Sequence, residues 1–261
     1  MNILEIYNLV CRYDDLAAVK NVSFKVKSGE FVGIIGPNGS GKSTILRSIA
    51  RVVKPVSGHI TLGGTDIFGL GTKELARQIA VVPEDTTVSF SFTVLDIVMM
   101  GRAPHLGRFE LEKEKDITIA RRAMKMTDTL SLENRFIDEL SSGEKQRVII
   151  AQALAQDPKI MLLDEPTAHL DINHEIEIFD LLKKLQAEAG LTIIVVSHNL
   201  NLAAQYCQRL ILLKEGKIFK EGTPEEVITE ENIKSVYGAK VLVENNPRTK
   251  APNLILLPGK I

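Results

Sequence analysis

Unbroken apolar runs and helix-spaced apolar positions alternate along this chain. The short runs at residues 30–35, 160–163 and 191–196 are almost wholly Val, Ile, Leu, Met, Phe or Gly. Stretches of that length without polar alternation predict strands buried on both faces, the habit of a parallel sheet. Residues 3–35 read as β-rich, with turns at Asp14-Asp15 and Ser28-Gly29. Further strands are predicted at 57–64 and at 77–82, the latter stopped by Pro83. Helical spacing marks 45–50, 143–156 and 172–189, with Gly190 where a C-terminal cap is expected. From Thr93 to about Asp128 the texture is helical, and 111–125 is charge-rich around Ile117, Ile119, Ala120, Ala123 and Met124. Runs at 240–244 and 253–257 around Asn245-Asn246-Pro247 predict a small hairpin. The order of elements predicts an α/β fold, a parallel sheet with helices on both faces. A single domain is expected over 1–261, with its core in 1–92 and 158–238, a helical subdomain at about 93–157, and a C-terminal hairpin at 239–261.

Composition changes this picture little. The 261 residues are 44% hydrophobic and 25% charged, ordinary for a globular chain that can bury a sizeable core. A net charge of −1 gives no bulk attraction for nucleic acid or anionic membranes, so no nucleic-acid partner is expected. Cys11 and Cys207 fit no metal spacing and no disulfide framework, which points to a reducing compartment. The first residues lack the basic and apolar segments of a signal peptide. The apolar runs fall far short of the ~20 residues that span a bilayer. A soluble chain is expected, with any membrane role coming through a partner.

Residues 36–44 carry the chemistry: Gly36-Pro37-Asn38-Gly39-Ser40-Gly41-Lys42-Ser43-Thr44. They match the phosphate-binding pattern Gly-x-x-x-x-Gly-Lys-Ser/Thr at every required position, between a predicted strand and a predicted helix. Glycines let the backbone N–H groups face phosphate oxygens, and the following helix adds its positive end. Lys42 is expected on the β- and γ-phosphates and Ser43 on Mg²⁺.

Two further constellations read differently alone and beside that loop. The strand at 160–163 ends in Asp164-Glu165. By itself an acidic pair after a strand is a helix-start signal. Downstream of a phosphate loop, Asp164 at the carboxyl edge of the sheet is a Mg²⁺ ligand and Glu165 a general base for water. Leu140-Ser141-Ser142-Gly143-Glu144 opens a predicted helix. Alone it reads as a capping box of Ser141 with Glu144; beside the phosphate loop it also reads as a second anion-binding surface, and both can hold together.

Together these segments resemble the nucleotide-binding subunit of ABC transporters over nearly the whole chain. Residues 36–44 resemble Walker A, 140–144 the signature, 160–165 Walker B, and Ala168-His169-Leu170-Asp171 the D-loop. His198, after Val195-Val196-Ser197, resembles the switch histidine, and Tyr13 the aromatic that stacks on adenine. The resemblance implies a P-loop NTPase fold with an N-terminal antiparallel β subdomain and a helical signature subdomain. It implies an ATPase with ATP and Mg²⁺ as cofactors. Two copies would pair head to tail, each ATP lying between the Walker A loop of one and Ser141, Ser142 and Gly143 of the other, with Asp171 close by. It also assigns His198 to the γ-phosphate. Without the resemblance, His198 reads as a satisfied core histidine and Tyr13 as a half-buried strand aromatic. His59, His105, His169 and His174 have no metal-ligand pattern.

The chain departs from the family pattern at three places. Glu84 stands where Gln is usual, Ser142 where Gly is common, and Glu144 where Gln is common. Glu84, if ionised, is expected to bind Mg²⁺ or swing away. A carboxylate ~6 Å from a γ-phosphate charge costs about 3 kcal/mol at an effective dielectric near 20. A finer marker is Phe92 through Val98 followed by Gly101-Arg102-Ala103-Pro104-His105. This resembles the subgroup energising import of iron–siderophore, haem and cobalamin complexes. The bland reading of 101–105 is a helix-ending turn. The subgroup implies membrane-spanning permease subunits docked between the Glu84 segment and the helical block, a periplasmic or lipid-anchored substrate-binding protein, and a cytoplasmic location on the inner face of the membrane. The alternatives are a non-transport ABC ATPase acting on ribosomes or nucleic acid, and a phosphate-loop kinase.

Overall fold

The computed structural model describes residues 1–14, 16–84, 91–107 and 110–258. Of the turn expected at Asp14-Asp15, Asp15 lies outside the described residues. The first elements are β1 (Asn2–Tyr13), β2 (Leu16–Lys27), β3 (Phe31–Ile35), α1 (Lys42–Ile49), β4 (Ser57–Leu62) and β5 (Thr65–Asp66). Next come α2 (Thr72–Ala76), β6 (Ile79–Val82), α3 (Val94–Met100), α4 (Glu114–Met126), α5 (Ser142–Ala155), β7 (Ile160–Asp164) and α6 (Ile172–Ala189). The chain continues with β8 (Thr192–Val196), α7 (Leu200–Tyr206), β9 (Arg209–Lys214), β10 (Lys217–Gly222), α8 (Pro224–Val227), α9 (Glu230–Tyr237), β11 (Val241–Asn245) and β12 (Pro252–Leu256). The chain forms two compact units, Met1–Gly69 with Ile193–Ile261, and Leu70–Thr192.

In the first unit β1 lies antiparallel between β2 and β4. Strand β3 runs parallel to both β8 and β9, and β10 closes back on β9. Every residue of β3 and β8 is buried, which is why their sequences are continuous apolar runs rather than alternating ones. The hairpin β11–β12 pairs Leu242 with Ile255 and is tied to α7, where Asn201 and the Leu254 backbone exchange two hydrogen bonds.

In the second unit β6 and β7 are parallel neighbours. Helices α3, α4 and α5 pack on one another. The segment Gly101–His105 ends α3, as a turn reading expects, but it is also a buried brace. Arg102 is only 4% exposed. Its guanidinium donates to Asp116 of α4 at 3.0 Å and to the Ala155 carbonyl at the end of α5 at 2.6 Å. His105 bonds the Gln156 carbonyl at 2.8 Å. A Cβ on Gly101 would stand 2.1 Å from the Gln152 carbonyl, so only glycine fits there. The brace fixes the far end of α5, the helix that begins at the signature.

Candidate active site

The phosphate loop sits in the first unit, between β3 and α1. Its backbone is built for glycine: Gly41 has φ +100 and a Cβ there would meet the Ala18 carbonyl at 2.5 Å. Gly36 has φ +150, with the Leu213 carbonyl at 2.5 Å from the same notional atom. Lys42 is 5% exposed, and its ammonium donates to the carbonyls of Gly36 and Pro37 at 2.9 and 3.1 Å. The lysine thus folds back over its own loop, where phosphate oxygens would compete for it. Pro37 is half-buried, Asn38 and Gly39 are exposed, and Thr44 is buried. Ser40 Oγ is buried with no hydrogen-bond partner among the described residues. A buried hydroxyl without a partner is costly unless something meets it.

Helix α1 is the one whose start matters. Its N-cap is Gly41, with no side chain to cap it and no acidic residue in the first turn. Helices α3, α5 and α6 are instead capped by Thr93, Ser141 and Asp171. A helix start without a side-chain cap, with its positive end beside Lys42, suits an anion.

Register brings His198 to the same edge. Ile34 of β3 pairs with Val196 of β8, and Ser197 N–H donates to the Ile34 carbonyl. Gly36 and His198 therefore leave neighbouring strands at one end. His198 is exposed, which rules out the buried-core reading. Tyr13 ends β1 and is 43% exposed. The β1–β2 hairpin that carries it backs the loop through Ala18, the residue against Gly41. Sequence reasoning missed Tyr237 of α9. The Gly36 N–H bonds its hydroxyl, while burial pushes the phenol up to about 12. No local signal marks that contact, because it joins opposite ends of the chain.

The second unit carries the acidic residues. Asp164, 6% exposed, is the last residue of β7. Glu165 follows with φ +51, a left-handed conformation that non-glycine residues seldom adopt. Such backbone is held against its preference by its surroundings, and it clusters at functional sites. Val82 of β6 pairs with Leu163 of β7, so Glu84 and Glu165 leave the same sheet edge. Glu84 is exposed.

Ser141 forms the expected capping box: its backbone N–H and hydroxyl both donate to Glu144 Oε2, at 2.9 and 2.8 Å, and its oxygen accepts from Glu144 N–H at 3.3 Å. Those two bonds to Ser141 hold the Glu144 carboxyl below its ordinary range. Ser142 is exposed and Gly143 buried. Asp171 caps α6 by accepting from His174 N–H at 2.9 Å.

Buried Asp164, the Ser43 hydroxyl and Glu84 are hard oxygen ligands of the kind Mg²⁺ prefers. Among the described residues no three His, Cys, Asp or Glu side chains converge into a metal cage.

The family pattern described as "ABC transporter" matches residues 19–168. The ferric enterobactin transport ATP-binding protein FepC of Escherichia coli is 39% identical over 249 residues, covering 95% of this chain and 92% of that protein. An inward-facing structure of a putative metal-chelate type ABC transporter superposes with a TM-score of 0.87 at 26% identity, covering 98% of each chain. A bacterial ABC transporter cassette solved as a dimer gives 0.74 at 34% identity, covering 85% of this chain and 98% of that one.

Proposed function

The chain belongs to the ABC transporter family, and on that premise we propose that it is the ATP-hydrolysing subunit of an importer for iron–siderophore, haem or cobalamin complexes. The observation that carries the ATPase reading is the uncapped start of α1 behind a glycine-built loop that holds buried Lys42. The cargo class rests on the likeness to a ferric enterobactin transport protein and to a metal-chelate transporter.

In this reading residues 36–44 wrap the triphosphate, Lys42 exchanges its loop carbonyls for β- and γ-oxygens, and Tyr13 stacks on adenine. Ser43, Asp164 and Glu84 would hold Mg²⁺, which would supply neutralisation of phosphate charge there. Glu165 accepts the proton of the attacking water, and His198 contacts the γ-phosphate. Water's oxygen bonds to the γ-phosphorus as the bridging P–O bond to ADP breaks. A second copy presents Ser141, Ser142 and Gly143 to the same nucleotide, with Asp171 beside them. The likeness to a cassette solved as a dimer supports that pairing. ATP thus favours the closed pair, and loss of phosphate favours opening.

The partners are membrane-spanning permease subunits and, through them, a substrate-binding protein. Among the described residues no helix is long and apolar enough to cross a membrane. The likeness to import ATP-binding proteins supports the cytoplasmic inner face of the membrane as the proposed place, held there by the permease. The test is affinity purification of the tagged chain from solubilised membranes, with uptake of labelled ferric siderophore in a deletion strain. A permease in the eluate and lost uptake support the reading. Co-sedimentation with ribosomes and normal uptake of metal chelates contradict it.

A further inference from the structure

One imidazole joins the signature turn to the segment after β7. A Cβ on Gly143 would stand 2.3 Å from Cδ2 of His174 and 2.8 Å from its Cγ. The ring therefore lies against bare backbone, in the space any other residue at 143 would fill. On its other side Nδ1 is 2.9 Å from Asp171 Oδ1, the oxygen that also accepts the His174 backbone N–H. Those two bonds hold the Asp171 carboxyl below its ordinary range. An ionised carboxylate only accepts, so Nδ1 is the nitrogen that carries the proton. The main-chain bond caps α6 whatever the side chain is, so the ring's contribution is separable from the cap.

Helices α5 and α6 are tied at a second point, where Arg147 donates to Glu177 at 2.8 Å. That pair lies more than a turn along α5 from Ser142, away from the turn at 141–143. At the start of α5 the imidazole supplies a contact from α6. The capping box holds the turn at 141–143 from within, and helix ends fray, so a contact from outside limits its motion.

We propose that His174 is a positioning residue that locks the signature turn to the D-loop, so that Ser141, Gly143 and Asp171 meet the opposing copy's nucleotide as one surface. This deepens the two-copy reading and rests on it. It also gives Gly143 a second reason to be glycine: the ring occupies its side-chain direction.

The test uses the full chain with H174A, H174N and H174Q, each alone and with Glu165→Gln. Asparagine sets an N–H donor near the place of Nδ1, and glutamine carries it one carbon too far. Hydrogen exchange of the amides at 141–145 is measured without nucleotide. The ATP concentration for half-maximal dimerisation is measured with Glu165→Gln. H174A and H174Q should exchange about tenfold faster at 141–145 and need about tenfold more ATP to dimerise, with unchanged ATP affinity of the monomer. H174N should recover most of both. Equal exchange at 141–145 in H174A and the parent overturns the proposal. If H174A fails to fold by circular dichroism, equal exchange in H174N and H174Q overturns it. If Glu165→Gln alone forms no dimer with ATP, the two-copy reading fails by itself, and the exchange data still decide the coupling.

Discussion

Replacing Glu144 with Gln isolates one charge at the surface where a second copy is proposed to meet ATP. The hydroxyl of Ser141 has a single proton, and Glu144 Oε2 takes it at 2.8 Å. A γ-phosphate oxygen can receive that proton only by displacing the carboxylate, which then remains nearby. Two oxygens sharing one hydroxyl in turn leave the charges about 5 Å apart. Unit charges at that separation repel by about 3 kcal/mol at an effective dielectric of 20 and by about 1 kcal/mol in water. Glu144 is half-buried, so ~1–2 kcal/mol is the expected penalty, a factor of about 5–30 in ATP requirement per site. The Ser141 bonds keep the carboxyl below its usual range, so the charge is fully present at neutral pH. Glutamine preserves the cap, because its amide oxygen still accepts from Ser141 N–H. Only the small dipole benefit of a negative first turn is lost, at most about 1 kcal/mol of stability. The assay is sedimentation velocity of Glu165→Gln with and without Glu144→Gln over an ATP titration. The double variant should dimerise at lower ATP, and the gap should shrink as salt screens it. An equal or higher ATP requirement, with thermal stability intact, refutes the argument.

Glu165→Gln should bind ATP with parental affinity and release almost no phosphate; normal turnover in a malachite-green assay would remove Glu165 as the base. Glu84→Gln should keep or raise turnover, since an amide oxygen can still ligate Mg²⁺ while the repulsion between carboxylate and phosphate is removed, and a large loss would show that the negative charge itself is needed. Arg102→Ala should cost about 3–5 kcal/mol in urea denaturation, because it strands buried Asp116. Burial favours the neutral Asp116 carboxyl, but the Lys113 N–H and the Arg102 guanidinium outweigh it and leave it below its ordinary value. Its stabilising contribution is therefore complete above the unfolded carboxylate range and disappears as pH falls through the lower folded value, so the Arg102→Ala deficit should narrow only in acid.

Strands β7 and β8 and helix α6 were legible because burial on both faces leaves continuous apolar runs, and because Gly190 caps α6 in the left-handed conformation. The phosphate loop was legible because backbone chemistry restricts it to few residue types. Helices α7 to α9 and strands β9 and β10 were not read. Helices α7 and α8 are short, and the apolar pair Ile233 and Val236 of α9 is too brief a repeat to mark a helix before it docks on β11. The segment at 101–105 read as a turn, yet its role depends on Asp116 and Ala155, which no local pattern links to Arg102. His174 was set aside as a non-ligand, and its contact with Gly143 exists only once α5 and α6 are folded together. His198 gave opposite readings from pattern and from resemblance, and its exposure excludes the buried one.

The central claim is that two copies of this chain share each nucleotide. Sedimentation of Glu165→Gln at rising protein concentration, with Mg²⁺ and ATP and with permease subunits added, tests it most directly. A monomer-to-dimer shift that needs ATP and reverses with ADP is the predicted result. A single monomeric boundary under every condition contradicts it.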